Sequence, residues 1–392
     1  MSQRPIDRSP DLKRLRDEGF NVSVVDGYVV VRDVPYVNAQ RLVLRGVLLA
    51  PFHAANDVAQ PPDDHVAHFA GEYPCYADGR PIEEIRLGQS NARAGEVEAK
   101  FNFSAKPKPL DRYPNFYEKF KAYVSRLSGP AREIEPDASA LTYPHLAATD
   151  EDSIFNYFDT ASSRAEITSV TKKLEGKRIA ILGLGGTGGY ILDFVAKTPV
   201  AEIHIYDGDV FLQHNAFRAP GAASGADLEE KLLKVDYFAR QYGRMRRGIT
   251  PHREFFAETH LDDLDSMDFV FLAMEAGDVK RLAVERLAAR GIPFIDVGMG
   301  VYLKNDRLGG TLRVTTGTSA KIDHLSERMP FSDGGVKNEY DKNIQIAELN
   351  AMNAALAVIR FKKVFDVYAD QSGEHYSTFS IGRNETNNED EA

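Results

Sequence analysis

The chain has 392 residues, of which 43% are hydrophobic and 27% charged, and its formal net charge is −10 at neutral pH. That length allows two domains with sizeable cores, and the acidic balance argues against a general binder of nucleic acid or anionic membranes. With one cysteine, Cys75, neither an intrachain disulfide nor a C-x-x-C zinc site can form, no segment has the apolar length of a bilayer span, and a cytoplasmic protein is expected.

The first ten residues are polar and read as disordered. FNVSVVDGYVVVRDVPYV and QRLVLRGVLLA alternate like strands, with Asp26-Gly27 as the turn between the first two. AANDVAQPPDDH reads as a loop. YPNFYEKFKAYVSRLSGPAREI carries apolar residues at helical spacing and is expected to stop near Gly129-Pro130. EPDASALTYPHLAATDEDS reads as a linker, so residues 1–155 form a small α+β domain.

From about Arg164 the pattern changes. KRIAILGLG, AEIHIYDGD, DFVFLAM and PFIDVGMG are apolar strands. Between them lie TGGYILDFVAKTP, ADLEEKLLKVDYFARQYG (expected to stop at Gly243) and DVKRLAVERLAARG, which have helical spacing. Apolar strands alternating with helices predict a doubly wound, mostly parallel α/β sheet, Rossmann-like, over residues 156–384. RLGGTLRVTTG and HYSTFSIG add antiparallel strands around a long helix, Ile344–Phe365. Residues 385–392 read as a disordered acidic tail.

Gly183, Gly185 and Gly188 satisfy G-x-G-x-x-G between a strand and a helix. Without Cβ atoms the backbone can approach a phosphate, and the helix N-terminus offers free N–H donors. Asp207 closes the next strand, where a carboxylate accepts hydrogen bonds from a ribose. These features suit NAD and ATP alike. The stretch YDGDVFLQHNAFRAPG separates them, because Asp207 and Asp209 are followed by Asn215 and Arg218, and Lys234 lies on the next helix. An arginine fork and a lysine charge beyond the ribose carboxylate suit a triphosphate whose outer part leaves as pyrophosphate.

Here the sequence resembles the ThiF/MoeB/ubiquitin-activating family. Its G-x-G-G-x-G loop is matched by Gly183, Gly185, Gly186, Thr187 and Gly188. Its D-x-D-x-V stretch followed by N-x-x-R is matched by Asp207, Asp209, Asn215 and Arg218. Its helix-opening lysine is matched by Lys234. The resemblance implies ATP and Mg²⁺ as cofactors and adenylation of the C-terminal glycine carboxylate of a ubiquitin-like protein. It also implies a homodimer in which Arg164 reaches the partner's nucleotide, and it places Glu275 where the family has its metal-binding aspartate. A bacterial conjugation pathway follows from the same resemblance, with a conjugating-enzyme-like protein as a further partner and a conjugating-enzyme-like or docking fold for the N-terminal domain.

Activating enzymes pass the acyl group to a cysteine, and the glycine-loop domain has none. Cys75 is the internal candidate. It lies between Pro74 and Gly79 in a stretch expected to turn, with His65 and His68 near enough in sequence to lower its pKa or to share a metal; the ordinary alternative is a small buried hydrophobe. Three other functions stay open. One is an NAD-dependent oxidoreductase, one is a degenerate ATP-binding docking module without turnover, and one is adenylation of a small peptide or sulfur carrier.

Overall fold

The computed structural model describes residues 4–55, 58–109, 111–148, 153–331 and 344–391. The chain divides into two compact units, one of residues 1–153 with 157–164 and the other of residues 154–156 with 165–392. Among the described residues no helix is long and apolar enough to cross a membrane.

The first unit is built on six antiparallel strands, ordered Asn21–Val25, Tyr28–Val37, Val43–Pro51, Val66–Ala70, Phe101–Ser104 and Arg86–Gln89. Asp26-Gly27 makes the first turn, with both residues at positive φ. The helix Phe116–Ile134 packs its Phe120, Tyr123 and Leu127 face into the sheet's core.

Three expectations are corrected in this unit. The helix does not stop at Gly129-Pro130 but runs through it to Ile134. Pro130 costs the ladder one N–H, but Pro130 and Ala131 are both buried, and burial of this face keeps the last turn. The opening residues are not disordered from the fourth onward: Arg4–Arg8 and Pro10–Glu18 are helices, and Ile6 is buried with Leu12 and Leu15. Tyr157–Arg164 groups with this unit rather than with the glycine-loop unit. Its anchor is Ser163, whose hydroxyl donates to Asp17 at 2.9 Å and accepts from Arg16 at 3.1 Å.

The second unit holds an eight-stranded sheet. Its strands are β1 (Arg178–Leu182), β2 (Glu202–Tyr206), β3 (Ile249–His252), β4 (Phe269–Leu272), β5 (Phe294–Lys304), β6 (Arg307–Gly317), β7 (Glu374–Ser380) and β8 (Glu385–Glu391). The spatial order is β3-β2-β1-β4-β5-β6-β7-β8, parallel from β3 to β5 and antiparallel beyond. Four longer helices serve it: α1 (Gly186–Ala196), α2 (Lys234–Tyr242), α3 (Asp278–Arg290) and α4 (Ala347–Val364).

The apolar strands explain why the sheet is covered on both faces. Ile179 and Ile181 enter one core with α1, α2 and α4, whereas Ala180 and Leu182 enter the opposite core with α3. Each fully buried isoleucine or phenylalanine contributes roughly 1.5–3 kcal/mol. The strand order reverses direction at β1, between β2 and β4, and the carboxyl ends of these strands form the crevice where such sheets take ligands.

Two further expectations are corrected. The acidic tail is not disordered over 385–391 but forms β8, paired with β7, and Arg328 holds Glu389 at 2.5 Å and Asp390 at 2.8 Å. The single helix expected from Ala226 to Tyr242 is two, Gly225–Glu229 and α2. Between them the backbone pairs with the Asp207 loop: Phe211 N–H donates to Leu232 O and Lys234 N–H to Asp209 O, each at 2.8 Å.

Candidate nucleotide-binding site

The loop between β1 and α1 is fixed by close backbone approaches. Gly183 has φ +95°, and a β-carbon there would lie 2.5 Å from the Ala273 carbonyl oxygen that follows β4. At Gly186 a β-carbon would lie 1.9 Å from Nδ2 of Asn350 on α4, and at Gly188 one would meet the Gly183 carbonyl oxygen at 2.0 Å. Gly185 is different, because a β-carbon there meets nothing within 4 Å. Three glycines therefore close the loop on the protein, while the fourth keeps the space outside it open.

Helix α4 clasps this loop. Thr187 Oγ1 donates to Asn350 Oδ1 at 3.3 Å, and Asn350 Nδ2 donates to the Arg218 carbonyl at 3.2 Å. Gly186 N–H, at the start of α1, donates to Gln345 Oε1 at 3.2 Å. A side-chain oxygen thus sits on an amide that a phosphate oxygen would use.

Asp207 lies at the end of β2. Its Oδ2 accepts from Leu184 N–H at 2.7 Å and its Oδ1 from Asp209 N–H at 2.9 Å. These bonds fix the carboxylate against the glycine loop, and Lys234 Nζ adds a longer contact to Oδ2 at 3.5 Å. Lys234, the first residue of α2, is only 6% exposed. Its Nζ lies 2.6 Å from Asp209 Oδ2 and 3.4 Å from Asp207 Oδ1. The break before α2 is what brings this ammonium beside the Asp207 carboxylate.

Arg218 is half-buried, and its Nε is buried with no hydrogen-bond partner. A guanidinium N–H left unmatched in a protein interior is costly, and a ligand oxygen would satisfy it. Asn215 is buried, and its Oδ1 accepts from Leu212 N–H at 2.8 Å. Its carbonyl oxygen therefore caps the short helix Gln213–Ala216, and the amide nitrogen is the group left to donate.

Glu275 is exposed two residues beyond Ala273. No three His, Cys, Asp or Glu side chains converge as metal ligands among the described residues. Glu275 would thus give a Mg²⁺ ion a single carboxylate, a share that suits a metal whose other ligands are phosphate oxygens and water. Arg164 belongs to the first unit, exposed, with its guanidinium carbon 5.8 Å from the Tyr143 ring centroid.

Cys75 does not have the environment expected of an acyl carrier. It is 2% exposed, and its Sγ donates to the Tyr73 carbonyl at 3.5 Å. Burial pushes the thiol up, and Asp78 and Glu72 push the same way. Neither histidine activates it: His65 Nε2 bonds Ser104 Oγ at 3.0 Å, and His68 Nδ1 bonds Ser90 Oγ at 2.9 Å. The turn-forming residues around Cys75 gave no warning that backbone pairing with Val37 and Pro81 would fold it inward.

Two features of this unit lay beyond the sequence reading. Gln345 precedes α4, and its contact with the loop depends on long-range packing. The other is a buried triad on β5, α3 and β6, where Asp296 Oδ1 lies 2.5 Å from Lys280 Nζ and Oδ2 accepts from Arg313 at 2.6 Å. The lone acid within PFIDVGMG was its signal, since a charge inside an apolar strand calls for a buried partner.

Two family profiles match the chain. A domain of unknown function, DUF6791, matches residues 10–160, and the ThiF family matches residues 158–359. A search of curated proteins found none that matches. Among solved structures, SeMet PaaA is 16% identical with a TM-score of 0.43, over 57% of this chain and 75% of its own. E. coli MccB with ATP is 16% identical with a TM-score of 0.41, over 59% of this chain and 69% of its own. The microcin C7 biosynthetic enzyme MccB with N-formylated MccA is 14% identical with a TM-score of 0.43, over 59% of this chain and 70% of its own. The ThiF match spans just over half of the 392 residues, and the chain belongs to the ThiF family.

Proposed function

We propose that this chain adenylates the C-terminal glycine carboxylate of a ubiquitin-like protein. The broader class, ATP-dependent adenylation of a substrate carboxylate, goes with ThiF-family membership. The observation that carries the reading is the pair of cations at the glycine loop. Lys234 is buried against Asp207 and Asp209, and Arg218 holds an unpartnered Nε.

A carboxylate oxygen of the substrate attacks the α-phosphorus of ATP. The bond from that phosphorus to the bridging oxygen breaks, pyrophosphate leaves with the electron pair, and an acyl-adenylate forms. The attacking carboxylate is already ionised near neutral pH, so no general base is needed, and the residues act by positioning and charge neutralisation. Asp207 holds the ribose, and the loop from Gly183 to Gly188 takes the phosphates at the start of α1. Lys234 and Arg218 neutralise the charge that builds on the leaving pyrophosphate, and the amide nitrogen of Asn215 orients it. Mg²⁺, held by Glu275 together with phosphate oxygens, would supply further charge neutralisation. In a homodimer, Arg164 of one protomer adds a cation to its partner's site. Because Cys75 is buried, the acyl-adenylate is handed to an acceptor outside this chain.

The test is ATP–pyrophosphate exchange with Mg²⁺ and candidate ubiquitin-like proteins ending in glycine, followed by intact-mass analysis of the partner. Exchange that requires the partner's terminal glycine, with a gain of one AMP on the partner, is the expected result. Exchange with short peptides alone would move the substrate to a peptide. ATP binding with no exchange for any carboxylate partner would leave a docking module and refute catalysis.

A further inference from the structure

Two side chains at the start of α4 reach the glycine loop, and they do so in different ways. Asn350 is fully buried and tied to both Thr187 and the Arg218 carbonyl. It presses on Gly186, where a β-carbon would lie 1.9 Å from its Nδ2. Gln345 lies ahead of the helix and is only half-buried. Its Oε1 accepts from Gly186 N–H at 3.2 Å, the long end of the range for such a bond. The asparagine is locked in the wall of the loop, whereas the glutamine has solvent to turn into.

Gly186 is the first residue of α1, and its N–H is one of the donors that a helix start leaves without an intrahelical partner. In the nucleotide reading these donors hold phosphate oxygens. One N–H serves one acceptor well, so the amide oxygen of Gln345 and a phosphate oxygen exclude each other at this position. The phosphate makes the stronger bond, because a charge-assisted hydrogen bond is roughly twice as strong as a neutral one.

We propose that Gln345 is a built-in competitor for the phosphate site: it caps Gly186 N–H, gives way when a phosphate oxygen takes that donor, and returns as the phosphates leave. This inference rests on the nucleotide reading of the glycine loop and adds its regulation. Two consequences follow from the geometry. The affinity for ATP is set below that of the uncapped loop, because only molecules with Gln345 turned away are competent to bind. Residues 344–346 lose their tie to the loop on binding while the buried Asn350 tie holds, so phosphate occupancy is felt at the lead-in to α4 and the body of the helix stays in place.

The test is calorimetry of ATP and of tripolyphosphate on the parent, Gln345→Met and Gln345→Glu. Methionine keeps the length and removes the acceptor, and it should tighten both ligands by about two- to tenfold, the size of one neutral hydrogen bond. Glutamate sets an anion against the incoming anion and should weaken both by about tenfold or more. Adenosine binding should be the same in all three. The chain contains no tryptophan, so Ile344→Trp installs a single reporter beside Gln345. Its emission should change when ATP or tripolyphosphate binds, and adding Gln345→Met should abolish that change. Weaker binding by Gln345→Met would make Gln345 a phosphate ligand and overturn the competition. Equal binding by all three proteins would overturn it as well and leave the proposed function standing. Parent protein that binds neither ATP nor tripolyphosphate would overturn both.

Discussion

Replacing Lys234 by methionine tests the phosphate grip most directly. The side chain is buried, and its ammonium lies 2.6 Å from Asp209 and 3.4 Å from Asp207. Two losses add on ATP binding. A charge-assisted hydrogen bond to the polyphosphate is worth about 1.5–3 kcal/mol. The two carboxylates, no longer neutralised, then repel the phosphates. At about 8 Å and an effective dielectric of about 20 that repulsion is about 2 kcal/mol, and solvent around the half-exposed Asp209 trims it to about 1 kcal/mol. Together these predict that the dissociation constant for ATP rises on the order of 10²-fold, measured by calorimetry with Mg²⁺ present, while adenosine binding is unchanged. Adding Asp209→Asn should recover the repulsive part, about fivefold. Asp207 keeps its bonds from Leu184 and Asp209 N–H, so the variant should remain folded, about 1–2 kcal/mol less stable in urea. A folded Lys234→Met protein that binds ATP within threefold of the parent (about 0.6 kcal/mol) would refute the reasoning.

Four further outcomes are expected. Gly186→Ala must displace Asn350, which its β-carbon would meet at 1.9 Å, and should cost about 1–3 kcal/mol of stability; Gly185→Ala, facing open space, should leave the melting temperature unchanged and weaken ATP binding alone. Asp296→Ala strands the buried Lys280 charge and should cost about 3–5 kcal/mol in urea unfolding, less when Lys280→Met accompanies it. Cys75 should react with an aromatic disulfide reagent only as fast as the first unit opens, and Cys75→Ala should retain pyrophosphate exchange. Burial pushes His68, His252, His324 and His375 below the usual imidazole range, so the folded chain keeps them neutral while the unfolded chain gains protons from about pH 6.5 downward. Their stabilising contribution is therefore full above that pH and falls with acidification; the urea midpoint should drop between about pH 6.5 and 5, and His252→Gln should flatten the slope.

The architecture of the second unit was legible because its strands are short apolar runs punctuated by glycine and proline, a pattern local enough to read directly. Gly183 and Asp207 were legible because each follows directly on an apolar strand, and Lys234 because it matches the family's lysine. The unread parts depend on contacts distant in sequence. Nothing near Cys75 announces that its strand-like neighbours bury it. The opening helices exist because Ile6 finds a core made by later strands. The acidic tail gains order from pairing with β7 and from Arg328, not from its own composition. The helix break before Lys234 was hidden because Leu232 and Leu233 fit helical spacing, while their backbone pairs with the Asp207 loop instead.

That break has a consequence for how Lys234 is kept in place. Lys234 takes its position from a main-chain bond to Asp209 O and from the pairing of Val210 with Leu233, rather than from counting turns along a continuous helix. The stretch from Ala222 to Lys231 is thereby relieved of any duty to measure distance. It could be lengthened, shortened or replaced with a foreign insert, and the ammonium would stay registered to Asp207 and Asp209, which makes this segment the place where the chain can be re-engineered without moving that ion pair.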